Sequence, residues 1–151
     1  MKRRHLTKAE LIRRMHRGLR PKLHVDQVRD LALAHVGNLD TVATGQATEE
    51  VLWQWIGGVL TWSRVATVLK LGEEEMTRQL ELATSMVERY GRVGRVGFSG
   101  PEYQLAKEGL QVMDQLAAVV DRPTAIDAAD WSEDKVNEMA AQCARREGKA
   151  A

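Results

Sequence analysis

The stretch GRVGRVGFSGP, residues 91–101, places glycine at positions 91, 94, 97 and 100. Two folds follow from two readings of it. A phosphate-binding loop requires a strand before the glycines, a helix directly after them, and a Gly-Lys-Ser/Thr or G-x-G-x-x-G order; the chain would then be α/β. A turn between two helices requires only backbone freedom. The residues fit the turn, because a helical pattern precedes the glycines, no lysine follows them, and the spacing matches neither phosphate motif. GFSGP also misses the G-x-S-x-G nucleophile elbow, since Pro101 stands where the last glycine belongs. Local tasks then account for the stretch: Gly91 as a helix C-cap, Gly94 and Gly97 relieving φ, and Gly100-Pro101 entering the next helix. A GxxG clamp on single-stranded nucleic acid, assisted by Arg92, Arg95 and Phe98, stays open as the alternative.

Helical signals continue on both sides. Upstream, residues 73–90 begin with Glu73, Glu74 and Glu75, where carboxylates favour the positive end of a helix. Met76, Leu80, Ala83, Val87 and Tyr90 follow at heptad-like spacing. Downstream, Ser99 and Glu102 form a capping box with Phe98 and Tyr103 as its hydrophobic staple. Tyr103, Ala106, Leu110, Met113, Ala117 and Val120 then recur at three- and four-residue steps until Asp121, with Pro123 as the expected stop.

Thr48, Glu49 and Glu50 open a helix expected to end at Gly72. Its residues are apolar on nearly every side, including Trp53, Trp55 and Trp62, so it is expected at the centre. Gly57 and Gly58 make sense there if another helix crosses closely. Residues 25–43, with Val25, Val28, Ala32, His35, Leu39 and Val42 on one face, predict another helix, with Gly45 ending it in the left-handed region. A last helix is expected from Ser132, stapled by Trp131 and Val136, after one helical turn in TAIDAAD. The first helix has a capping box at Thr7 and Glu10, with Leu11, Ile12 and Met15 on one side and Gly18 and Pro21 as stops. Six helices with short loops and no alternating strand pattern predict an all-α bundle of five to six helices.

The 151 residues suit one domain, with 44% hydrophobic and 28% charged residues. The net charge of +1 conceals a division. Residues 1–22 carry nine basic side chains against Glu10, a balance of +8; the remaining 13 basic and 20 acidic residues give −7. The chain therefore divides into a basic amphipathic segment, 1–22, and a helical domain, 23–151. The lone Cys143 excludes an intrachain disulfide and fits a reducing compartment. With no apolar run long enough to span a bilayer and no secretory signal, the expectation is a soluble, cytoplasmic protein without membrane contact.

Chemistry finds little to work with. Cys143 sits on an apolar face as an expected buried, inert thiol. His5, His16, His24 and His35 provide no H-x-x-x-H pair, and no metal or cofactor is expected; His35 reads as a hydrogen-bonded core residue. The acids Asp127, Asp130, Glu133 and Asp134 lack the glycine and alternation of a calcium loop. Together with Glu73, Glu74 and Glu75 they form a candidate acidic contact patch. The expectation is a non-enzymatic protein. Arg13, Arg14, Arg17 and Arg20, on consecutive turns, are the candidate binding residues for nucleic acid or an acidic protein groove, with Arg92 and Arg95 assisting.

The opening LTKAELIRRM resembles that of histone-like nucleoid proteins. Those proteins require a β-ribbon arm after their glycine-phenylalanine turn, whereas YQLAKEGLQVMDQL reads here as helix, so that resemblance is set aside. From Leu39 to Leu116 a second one holds: LDTVATGQATEEVLWQWIGGVLTWSRVA and the later glycine turn resemble small all-helical accessory proteins of proteobacterial phages, plasmids and integrated elements. The resemblance carries no activity. It implies a genetic neighbourhood in which many proteins inhibit host defences or regulate genes. The resulting expectation is a binding protein that occludes or remodels a host protein or ribonucleoprotein complex handling nucleic acid, a CRISPR-type assembly being the example. The alternatives are a regulator binding DNA or RNA directly through the basic segment, and a structural homodimer whose exposed Trp53 or Trp131 completes its core.

Overall fold

The structure is a computed structural model that describes residue 8 and residues 21–150. Five helices follow one another there: α1 (Val25–Ala43), α2 (Glu49–Leu69), α3 (Glu73–Val93), α4 (Gly100–Val119) and α5 (Arg122–Ala150). Apart from one isolated bridge between Lys22 and Asp121, the described residues pair no extended chain. The fold is an all-α bundle.

Helix α2 organises it. The Thr48 hydroxyl accepts from the Val51 N–H at 3.4 Å, satisfying one free donor of the first turn. Leu52, Trp55, Ile56, Val59, Trp62, Val65 and Ala66 are all buried, and α2 touches each of the other four helices. Its apolar circumference therefore has a partner on every side. Gly57 faces Val136 of α5 and Gly58 faces the His35 ring of α1; an added Cβ would stand 3.6 and 3.4 Å away respectively. Those are ordinary contacts, so the crossings are near without depending on glycine. The most demanding glycine is Gly109 of α4, where a Cβ would overlap the buried carboxamide of Gln79 from α3. Gln79 fills that space and donates to the Leu105 carbonyl at 2.8 Å.

The helices alternate in direction, which gives the bundle two ends. At one, here the turn end, the α1–α2 loop lies against the glycine-rich loop 94–99, and the last turns of α5 lie beside Gly91 and Arg92. At the other, the root end, the α2–α3 and α4–α5 junctions meet the incoming chain. There the Arg122 N–H donates to the Pro21 carbonyl at 2.7 Å beside the Lys22–Asp121 bridge.

Helix boundaries depart from expectation in three places. Helix α2 stops at Leu69 because Lys70 turns left-handed (φ 57°), followed by left-handed Gly72 (φ 65°) as the N-cap of α3. Helix α3 continues through Gly91 to Val93, and Gly94 (φ 71°) is its C-cap. Largest is the last helix: it begins at Arg122, ten residues before the expected Ser132. Asp121 caps it, its carboxylate accepting from the Thr124 N–H at 3.1 Å and the Thr124 hydroxyl at 2.8 Å. Pro123 thus stands in the first turn, where no N–H is required and a fixed φ helps. Ser132 lies mid-helix and buried, its hydroxyl 2.6 Å from that of Thr61.

Candidate partner-binding surfaces

The glycine-rich loop is pinned at several points. Arg89, one turn before the end of α3, donates to both Glu102 carboxylate oxygens at 2.9 and 2.7 Å and to the Gly97 carbonyl at 3.1 Å. Glu102 also accepts from the Ser99 N–H at 2.8 Å, and the Ser99 hydroxyl accepts from the Glu102 N–H, completing the capping box read from the sequence. This two-pronged Arg89 contact holds the Glu102 carboxyl down at about 2, and the same bond raises Arg89. Phe98 presses edge-on against Trp55, ring centres 5.3 Å apart. Glu49 accepts from the Trp53 indole at 3.2 Å. Burial first, then a hydrogen bond to Glu49, pushes the Tyr90 phenol up.

Between the two loops lies a cleft of about 790 Å³, walled by Thr48, Tyr90, Arg95, Phe98 and Ser99. The Ser99 and Val51 amides already meet carboxylate and hydroxyl oxygen respectively. The loop is thus a fastened corner. Sequence reading missed Arg89 altogether; the one clue was Glu102, whose capping role concealed a second partner 13 residues away.

Arg92 and Arg95 are both exposed at the turn end, but they face different grooves. Arg95 borders the cleft just described, whereas Arg92 borders a cleft of about 400 Å³ against α5, with Val87, Cys143 and Arg146. Cys143 is there half-buried, and so more open than the expected core thiol. Arg13, Arg14, Arg17 and Arg20 lie outside the described residues. The chain that carries them enters at the root end, about 30 Å from Arg92 and Arg95 by the length of the 20-residue α4.

The acidic residues fall toward the root end. Glu73, Glu74 and Glu75 occupy the first turn of α3, where Glu73 meets Lys70 at 3.5 Å and Glu74 meets Arg78 at 3.1 Å. Asp127, Asp130, Glu133 and Asp134 are exposed along the first half of α5. Among the described residues no ion pair reaches these four. The acids consequently form two groups, one partly neutralised by Lys70 and Arg78 and one open.

Two further expectations meet side-chain packing. Neither Trp53 nor Trp131 is exposed: Trp53 packs against the core and donates to Glu49, and Arg64 lies over Trp131 at 5.2 Å. His35 is hydrogen-bonded as expected but half-buried: its Nε2 accepts from the Trp62 indole at 3.2 Å, and burial lowers its pKa against the opposing pull of Asp114. Among the described residues no helix is long and apolar enough to cross a membrane, and no three His, Cys, Asp or Glu side chains gather to hold a metal ion. Comparison of the chain with protein-family models, with curated proteins and with solved structures finds no match.

Proposed function

We propose that the protein is a non-enzymatic binding protein of phage or mobile-element type, acting by occluding or remodelling a host complex that handles nucleic acid, in the manner of an inhibitor of a CRISPR-type assembly. The observation that carries this reading is the division of charge. A segment of +8 is attached at the end of the bundle where Asp127, Asp130, Glu133 and Asp134 lie open. A complex built to hold nucleic acid presents basic grooves and phosphate paths side by side, and a small body with both charge signs on separate faces complements both.

The first experiment is fluorescence anisotropy with short duplex DNA and single-stranded RNA, at low and physiological salt, comparing the full chain with residues 23–151. Weak binding at physiological salt together with capture of a host nucleoprotein complex supports the proposal. Tight binding with a steep salt dependence, lost on truncation, establishes instead a regulator that binds nucleic acid directly through its basic segment. Replacing Arg13, Arg14 and Arg17 by Glu is expected to abolish capture of the complex while leaving helical content unchanged by circular dichroism. Capture that survives the triple change removes the basic segment from the contact.

A further inference from the structure

The outward face of α1 carries large apolar side chains that no described residue covers. Val25 is 84% exposed, Leu33 64% and Val36 43%, and a Cβ added at Gly37 beside them would meet nothing within 4 Å. At 100° per residue Arg29, Leu33, Val36 and Asp40 fall within an arc of about 60°, turned away from the buried Leu39 and Val42. We infer that this stripe is the contact between two copies of the chain, which associate by antiparallel pairing of α1. The inference is independent of the proposed host complex, and the surface it uses contains neither Trp53 nor Trp131.

Three features select a second copy as the occupant. The first is spacing. Arg29, Leu33, Val36 and Asp40 follow one another at steps of four, three and four residues, the period of a seam along which two helices pair. The second is symmetry of charge. Arg29 and Asp40 stand equally far, about 8 Å by the helical rise, from the midpoint between Leu33 and Val36. A twofold axis through that midpoint sets Leu33 of each copy against Val36 of the other, and Arg29 of each against Asp40 of the other. Parallel pairing would set Arg29 against Arg29 and Asp40 against Asp40, so charge dictates the antiparallel arrangement. The third is availability. Arg29 stands 3.6 and 3.7 Å from Asp26 and Asp30 of its own helix, all on exposed side chains, and such contacts hold weakly. Among the described residues no ion pair reaches Asp40. An unrelated partner has no need of opposite charges balanced about an apolar centre, whereas a copy of this helix does. Two apolar layers make a small core, so the association is weak and rises with concentration.

Sedimentation velocity of the full chain from roughly 10 µM to 1 mM tests this. The expected result is a mean mass that climbs toward that of two chains. Leu33→Glu is expected to weaken the association at least about tenfold, with helical content unchanged by circular dichroism. Arg29→Asp or Asp40→Arg alone weakens it similarly, because each sets like charges opposite one another. The double variant Arg29→Asp/Asp40→Arg restores the affinity to within about threefold of the unaltered chain. A chain that keeps a single mass over the whole range overturns the inference. Association that Leu33→Glu leaves intact overturns it too, by placing the contact on another face. Single reversals that the double variant does not rescue remove the antiparallel register and with it the proposal.

Discussion

At the turn end α3 passes to α4 through six non-helical residues, 94–99, whereas at the root end α4 passes to α5 through two, Val120 and Asp121. The longer connection is fixed by side chains from three helices: Arg89 of α3, Glu102 of α4 and Trp55 of α2, with Phe98 supplied by the loop. The shorter is fixed by the Asp121 carboxylate, acting on the helix it starts, and by the backbone bond from Arg122 to Pro21. Six free residues would cost considerable conformational entropy to order, so a long corner must be cross-linked to stay in one shape. A two-residue corner has few conformations to lose, and a cap with one backbone bond is enough. Arg92, Arg95 and Arg146 lie at the turn end together with Glu49, Glu88 and Glu147, and the open acids lie toward the root end.

The contrast breaks most severely at the aromatic pin. Trp55→Ala removes a buried ring that also supports Phe98, and the expected loss is about 3–5 kcal/mol by urea denaturation, with Phe98→Ala at about 2–3 kcal/mol. If Phe98→Ala costs no more than a surface change, the loop is not held by that contact.

A pH titration sharpens the comparison next. The Glu102 carboxyl lies at about 2 in the folded chain against an ordinary 4.5. Its contribution is therefore complete above about pH 4.5 and is lost as pH falls toward 2. Glu102→Gln is expected to reduce stability at neutral pH by about 1–2 kcal/mol, a figure discounted for the partial exposure of Arg89, and to flatten the acid limb of the stability profile. His35 acts in a separate window. Its lowered pKa means that stability is complete above its ordinary 6.5 and declines as pH falls below it; protonation also removes the acceptor used by Trp62.

At the root end the expected effect is smaller. Asp121→Ala removes the cap of α5 and costs about 1–2 kcal/mol, accompanied by faster amide exchange confined to the first turns of that helix. A uniform loss across the bundle would show that Asp121 does more than cap. Smallest of all is the neutralisation of Asp127, Asp130 and Asp134 to Asn, expected within about 0.5 kcal/mol of the unaltered chain. A marked stabilisation would reveal that their mutual repulsion strains α5.

Elements with a local chemical signature are legible in the sequence. The boundaries of α1, the Thr48 and Ser99 caps and the central place of α2 each follow from a few neighbouring residues and a helical period. Pro123 misleads for a physical reason: proline ends a helix in its interior and favours one in its first turn, and only the cap at Asp121 decides between the two. Gln79 against Gly109, Thr61 against Ser132 and Arg89 on Glu102 carry no local signature, since each joins residues of different helices.

The same division holds for the candidate surfaces. The charge segregation and the basic segment are properties of composition and are visible in the residue string alone. That Arg92 and Arg95 stand at the opposite end from the root of that segment, and that Ile126 opens beside it, are consequences of helix direction. Short-range hydrogen bonding and periodicity set each helix, because those forces act between residues a turn apart. The pairing of faces was settled only by packing, because burial acts between whichever residues the folded chain brings together.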